Sequence, residues 1–156
     1  MAFDGFFCVA VANELNAWAG AKVEKIHQSA PTCLYLCLYR EGKRANLILS
    51  AAASKPILAI TTEEIAKPKD PTPFCMLFRK HLQNGRLTSV SCVPHERIVK
   101  FSFACADELG FLREKTLYAE MMGKYSNIIF CDGDYKILNA IKPVDFSTSQ
   151  KRQVLP

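Results

Sequence analysis

Residues 74–103, FCMLFRKHLQNGRLTSVSCVPHERIVKFSF, contain the clearest change of periodicity in the chain. The first part has one apolar stripe at helical spacing, formed by Phe74, Leu77, Phe78, His81 and Leu82. Thr72 is suited to be the N-cap of this helix, and Pro73 fits its first position because the missing N–H would have no partner there. Gly85 can adopt the left-handed conformation that ends a helix. The pattern predicts a helix that begins at Pro73 and ends at Asn84-Gly85.

Two extended runs follow this helix, at residues 87–93 and 98–103. In the second run apolar and polar side chains alternate, which is typical of a half-buried strand. The connector between them, Pro94-His95-Glu96-Arg97, brings an imidazole, a carboxylate and a guanidinium to one strand end. It is either a surface turn with a weak ion pair, worth at most about 1 kcal/mol, or a fork that binds phosphates or base edges.

The rest of the chain predicts one more helix and further short strands. Asp4-Gly5 is a candidate helix start, and strands are predicted at residues 22–28, 33–39, 45–49 and 56–60. A Pro-rich connector covers residues 67–73 and a polar loop covers residues 104–114. Strands follow at 116–122, 125–131 and 135–141, the last two joined by a predicted type I′ turn at Asp132-Gly133. These elements predict an α+β domain dominated by antiparallel sheet.

Composition is that of an ordinary globular domain. A chain of 156 residues is sufficient for one domain, and its longest apolar run falls short of the ~18 residues of a membrane span. No signal peptide is predicted. Seven cysteines without a C-x-x-C pair predict reduced thiols in the cytoplasm. A net charge of +5, concentrated after residue 78, is compatible with a nucleic-acid partner.

No catalytic signature is found in the sequence, so an enzyme is not predicted. His81 lies on the apolar helix face and is interpreted as a core histidine. Arg79 and Lys80 belong either to a solvated helix face or to a basic surface. Residues 123–127, GKYSN, form either a loop whose Ser and Asn satisfy backbone groups, or a loop that offers Lys124, Tyr125 and Asn127 to RNA.

Several stretches of the chain together resemble one protein family. They are MAFDGFF…ELN, KIHQ, FCMLFRKHL-x-x-G, HERIVKF, EMMGKYSNIIF, IKPV and QKRQVLP, and they cover nearly the whole chain in the right order. They resemble the N-terminal NFACT module of the ribosome-associated quality-control factors, RqcH in bacteria and NEMF in animals, and the bacterial branch most of all. Bacterial members are also known as fibronectin-binding protein A. The resemblance implies a single NFACT-N domain over residues 1–156, within a longer multidomain protein.

The resemblance also implies a function and a site. Such factors bind the large ribosomal subunit with its obstructed peptidyl-tRNA, hold alanyl-tRNA, and direct alanine tailing of the stalled nascent chain in the cytoplasm. The resemblance implies no cofactor, no metal and no membrane partner for this module. The family's Asp-Arg pair for tRNA engagement falls on Glu96 and Arg97, with Glu in place of Asp, and its acidic residue near the start falls on Asp4. Apart from the resemblance, the residues themselves offer six further candidate RNA contacts, for which the structural alternatives stay open: Arg79, Lys80, His95, Lys124, Tyr125 and Asn127.

Two alternatives arise from the same family. The module is similar in fold to the N-terminal domain of formamidopyrimidine-DNA glycosylases, which predicts a DNA-binding domain. Those enzymes need a proline after the initiator Met and a following Glu, whereas this chain has Ala2 and Phe3. The other alternative is a surface adhesin for fibronectin, which the unpaired cysteines and the lack of an export signal disfavour.

Overall fold

The computed structural model describes residues 5–52, 56–63, 72–93, 96–121, 126–133 and 136–142. These residues form two helices and nine strands, so the predicted α+β class is confirmed. The helices are α1 (Gly5–Asn16) and α2 (Pro73–Leu82). The strands are β1 (Lys22–Ala30), β2 (Cys33–Arg40), β3 (Lys43–Ser50), β4 (Ile57–Thr61), β5 (Arg86–Cys92), β6 (Ile98–Ala106), β7 (Leu112–Glu120), β8 (Asn127–Cys131) and β9 (Ile137–Ala140).

The nine strands form one sheet in the order β4-β3-β2-β1-β5-β6-β7-β8-β9. All neighbouring strands are antiparallel. The sheet consists of two meanders, one formed by β1–β4 and the other by β5–β9. The meanders are joined between β1 and β5, where Lys22 lies directly opposite Arg86. Backbone hydrogen bonds from Val23 N to Gly85 O (2.8 Å) and from Leu87 N to Ala21 O (2.9 Å) close this junction.

Both helices cover apolar residues of the sheet. In α2 the buried side chains are Cys75, Phe78 and Leu82. Phe78 and Leu82 belong to the predicted apolar stripe, whereas Cys75 is not part of it. Phe78 stacks on Phe130 of β8, with ring centroids 4.7 Å apart. Since α2 also packs on β1, this contact links the two meanders through one core.

The predicted start of α2 is confirmed and its predicted end is corrected. Thr72 Oγ1 accepts a hydrogen bond from Cys75 N (3.1 Å), and Pro73 occupies the first turn. After Leu82 the left-handed residue is Asn84, with φ of 70°, and not Gly85. Gly85 is needed for close packing instead, because a Cβ there would lie 2.7 Å from Cys105 Sγ.

The type I′ turn predicted at Asp132-Gly133 is wrong, although β8 and β9 do pair as antiparallel neighbours. Neither residue has positive φ. Asp132 instead closes a longer loop, since its N–H donates to Lys136 O (3.0 Å) and its Oδ1 accepts from Lys136 N (3.0 Å). The two-residue turn with positive φ at both positions is Glu41-Gly42, at 50° and 81°, between β2 and β3.

The polar loop predicted over residues 104–114 is also corrected, because β6 and β7 extend into it and pair as far as Ala106 and Leu112. The remaining turn is held by Asp107, whose Oδ1 accepts from Leu109 N and Phe111 N, both at 2.9 Å. A hydrogen bond from Arg113 to Asp107 (3.1 Å) lowers the pKa of that carboxyl. Polar side chains on this exposed hairpin resemble a loop in sequence, but the backbone ladder is intact.

All seven cysteines are free thiols in the structure, and four of them are buried: Cys8, Cys75, Cys105 and Cys131. Burial raises the pKa of Cys8 to about 12 and that of Cys105 to about 11. Because the thiolate is the reactive form, these two react slowly at pH 8.

We therefore expect a thiol reagent at pH 8 to label Cys33, Cys37 and Cys92 quickly in the native chain and all seven cysteines after denaturation. The measurement is mass spectrometry of labelled peptides over time, with the denatured chain as control. Rapid native labelling of Cys105 would contradict the buried core described above.

Candidate nucleic-acid interface

The Glu96–Arg97 turn lies between β5 and β6 at one end of the sheet. Its backbone is fixed: Glu96 N donates to Val93 O (3.1 Å), and Arg97 O accepts from Met121 N (2.9 Å). Both side chains are exposed. The turn therefore presents a carboxylate and a guanidinium to solvent from a backbone that is held in place.

Register brings one other predicted site residue, Asn127, to the same end of the sheet. Ile98 pairs with Glu120, and Glu120 pairs with Asn127, so three consecutive strands end there. Neighbouring strands lie about 4.8 Å apart, which places Met121 and Ser126, the described residues that follow β7 and precede β8, within ~10 Å of the turn. Lys124 and Tyr125 belong to the segment between them and lie outside the described residues, as does His95.

The start of α1 is close to this end of the sheet as well. Cys8 Sγ lies 3.6 Å from Ile98 O, so the first half of the helix packs beside the first residue of β6. The helix begins at Gly5. Asp4, the predicted N-cap and site residue, directly precedes it and lies outside the described residues.

The sequence left two roles open for Asn127, bonding to backbone groups or contacting RNA, and its hydrogen bonds in the structure are those of the first role. It is buried, its Nδ2 donates to Lys142 O (2.8 Å), and its Oδ1 accepts from Lys142 N (3.0 Å). Oδ1 also accepts from Ile128 N (2.9 Å). The amide is thus occupied in joining the start of β8 to the second residue after β9, which disfavours a direct RNA contact.

Arg79 and Lys80 are not brought to the turn. Arg79 Nε donates to Ile26 O (2.9 Å), so this half-buried side chain attaches α2 to the middle of β1. Lys80 is exposed on the same helix. His81 is half-buried with its ring edge-on to Phe130, and burial, followed by the charges of Lys115 and Lys80, lowers its pKa. The geometry agrees with the interpretation of His81 as a core residue.

Two charged residues at this end of the sheet were not singled out from the sequence. Glu120 is only 5% exposed at the last position of β7, and a buried carboxylate is costly unless it is paired. Lys142 is half-buried beside Asn127, and burial lowers its pKa. The sequence signal for both residues was a charged side chain at or just after the end of an apolar strand. Spacing alone does not show whether such a charge is buried or solvated.

Within the described ranges, no three His, Cys, Asp or Glu side chains are grouped so that they could hold a metal ion. Neither described helix has the length and apolar character needed to span a membrane. The chemistry that this end of the sheet offers is that of charge and hydrogen bonding: an exposed guanidinium donates to planar acceptors, and a neighbouring carboxylate accepts.

The structure thus places this protein in a class of α+β domains that consist of two antiparallel meanders and carry a Glu-Arg turn at one end of the sheet. A family model described as NFACT N-terminal and middle domains matches residues 4–156. The chain belongs to this family, as its resemblance indicated.

Curated relatives agree with this assignment. The Rqc2 homolog RqcH of Streptococcus suis is 36% identical over 158 residues, covering 100% of this chain and 29% of the relative. The protein of the same name from Bacillus subtilis is 34% identical, covering 100% and 28%. The human ribosome quality control complex subunit NEMF is 32% identical over 136 residues, covering 85% and 12%. The chain therefore spans less than a third of the length of these relatives.

Solved structures show the same fold. The N-terminal domain of fibronectin-binding protein PavA from Streptococcus pneumoniae matches with a TM-score of 0.93 and 34% identity, over 99% of this chain and 59% of that one. The N-terminal part of the fibronectin/fibrinogen-binding protein from Streptococcus suis matches with a TM-score of 0.94 and 36% identity, over 99% and 59%.

Proposed function

We propose that this chain is the tRNA- and large-subunit-binding module of a cytoplasmic ribosome quality-control factor that directs alanine tailing of stalled nascent chains. The module binds and positions RNA and is not itself an enzyme. The observation that carries the proposal is the exposed Glu96–Arg97 turn, whose backbone is fixed to Val93 and Met121. Support comes from the relatives named RqcH and from NEMF, whose name is that of a ribosome quality control complex subunit.

The turn is suited to tRNA by its chemistry. Arg97 carries five N–H donors in a planar fork, which matches phosphates and base edges bidentately. Glu96 either orients that guanidinium or accepts a hydrogen bond from a nucleobase amino group, as acidic side chains do with cytosine N4. A turn with a fixed backbone lowers the cost of ordering these side chains on binding.

Binding of tRNA to the purified chain, measured from about 50 to 200 mM salt, tests the proposal because RNA phosphates release counterions on binding. We expect affinity to fall steeply as salt rises, in keeping with the net charge of +5. Duplex DNA and fibronectin serve as competitors in the same assay. A flat salt profile, or displacement of tRNA by fibronectin but not by unlabelled tRNA, would contradict the proposal.

Substitution of Glu96 tests whether its carboxylate takes part in tRNA binding or is solvated and has no role. We expect Glu96→Ala to weaken tRNA binding and Glu96→Asp to be tolerated, because both roles of Glu96 require its negative charge. A solvated Glu without a role predicts the opposite sign, since removing its charge reduces repulsion from phosphate. Titration of tRNA at fixed salt decides between them, and tighter binding by the alanine variant would exclude the functional role.

A further inference from the structure

A basic cleft lies where the two meanders meet, well away from the Glu96–Arg97 turn. Lys22 of β1 is directly opposite Arg86 of β5 and, on its other side, directly opposite Tyr39 of β2. The cleft has a volume of about 430 Å³ and is lined by these three residues with Ala19, Gly20, Arg40 and Glu41. This volume falls within the range of ligand sites, about 300–1,000 Å³.

The charges of the cleft are not balanced within the described part of the chain. Like charges directly opposite each other on neighbouring strands are destabilising, yet neither Lys22 nor Arg86 has a described carboxylate within 4.0 Å. The one acidic residue of the lining, Glu41, lies 4.0 Å from Arg40, and its side chain is 81% exposed. Three cations therefore face the cleft against a single solvated carboxylate.

Both arginines of the cleft are held in position by the turn that follows α1. Arg86 Nη1 donates to Gly20 O at 3.1 Å, and Arg40 Nη1 donates to Ala17 O. A guanidinium has five N–H donors, so one bond to a carbonyl fixes the group and leaves others for a ligand. Gly20 N itself donates to Leu87 O, which ties this turn to β5.

The basic surface extends beyond the cleft along one row of the sheet. Arg44 of β3 pairs in register with Tyr39, and its guanidinium lies 4.8 Å from the centre of the Tyr39 ring. The row Arg44, Tyr39, Lys22, Arg86 thus crosses four neighbouring strands, about 14 Å at the usual strand spacing. Arg44 is also bonded to Glu24 (3.0 Å), so the unbalanced charge is concentrated at Lys22 and Arg86.

From this arrangement we infer that the basic cleft is a phosphate-binding site that takes phosphates of an RNA backbone. The assignment of RNA as the source of the phosphate rests on the proposed function. The cleft is at the start of β5 and the Glu96–Arg97 turn follows its end, so about 20 Å of strand separates them. An RNA that contacts both spans the length of β5, with base or phosphate contacts at the turn and phosphate contacts at the cleft.

The experiment uses Lys22→Glu as the test variant and Lys136→Glu as its control. Both reverse one positive charge, but Lys136 is exposed beside β9 at the far edge of the sheet. Pyrophosphate is titrated into each chain while the amide NMR signals of Gly20, Lys22 and Arg86 are followed, and tRNA affinity is measured over a range of salt. The pyrophosphate arm does not depend on the proposed function, whereas the tRNA arm does.

We expect saturable shifts of the cleft amides with pyrophosphate in the parent chain and the control, and loss of them in Lys22→Glu. In the tRNA arm we expect Lys22→Glu to lower the slope of log affinity against log salt by about 1. Absence of localised shifts in the parent chain, or equal shifts in Lys22→Glu, would overturn the phosphate site. Equal tRNA binding and salt slope in the two variants would overturn the RNA assignment even if tRNA binds. Cleft shifts in a chain that binds no tRNA would instead contradict the proposed function and retain the phosphate site.

Discussion

Replacing Phe78 with alanine is expected to lower the free energy of unfolding by roughly 3–5 kcal/mol, as for other large-to-small changes at fully buried aromatic residues. Phe78 is 0% exposed and has two aromatic neighbours, Phe74 and Phe130, each with a ring centroid 4.7 Å away. The loss combines the transfer of the ring with the cavity that it leaves between α2 and β8. Denaturant unfolding of the two chains measures the difference.

Met76→Ala is the matched control for this prediction, since Met76 lies on the same helix and is 57% exposed. A surface substitution of this kind changes stability by less than about 0.5 kcal/mol. A similar small effect for Phe78→Ala would mean that α2 is not part of the core that joins the meanders.

The parts of the fold that could be predicted are those controlled by neighbours in sequence. The spacing of apolar residues located α2, and Thr72 with Pro73 located its first residue, because capping depends on groups three residues apart. The alternation of side chains located β6. The same local rules failed at the Asp132-Gly133 turn, where the backbone and the side chain of Asp132 both bond to Lys136 and close a longer loop.

The arrangement of the sheet depends on contacts that no local pattern encodes. Lys22 and Arg86 are 64 positions apart, and only the junction of β1 with β5 makes them neighbours. The hydrogen bonds of the Asn127 amide could not be predicted for the same reason, since their partner, Lys142, follows a different strand. The basic cleft could therefore not be predicted from the sequence. The Glu96–Arg97 turn could be located because it connects two strands that are consecutive in the chain.

Replacing Arg97 with alanine is expected to weaken tRNA binding while leaving the fold intact. A hydrogen bond to a charged group contributes ~1.5–3 kcal/mol, which corresponds to about 10- to 150-fold in affinity. The side chain is exposed, and the bond that Arg97 makes to Met121 uses its backbone oxygen, so truncation removes neither a core contact nor the link to β7. Thermal unfolding and tRNA titration at fixed salt are measured on the same preparation.

Two further variants make the outcome specific to Arg97. Arg113→Ala removes an equivalent positive charge from β7, where the exposed pair with Asp107 contributes little to stability, and it should retain most of the affinity for tRNA. Arg97→Lys keeps the charge but loses the planar fork, so an affinity between those of the parent and the alanine variant indicates bidentate recognition. If Arg97→Lys equals the parent, the turn acts through charge alone. If Arg97→Ala unfolds at a much lower temperature than the parent, Arg97 is a structural residue, and the turn loses its assignment as the tRNA contact.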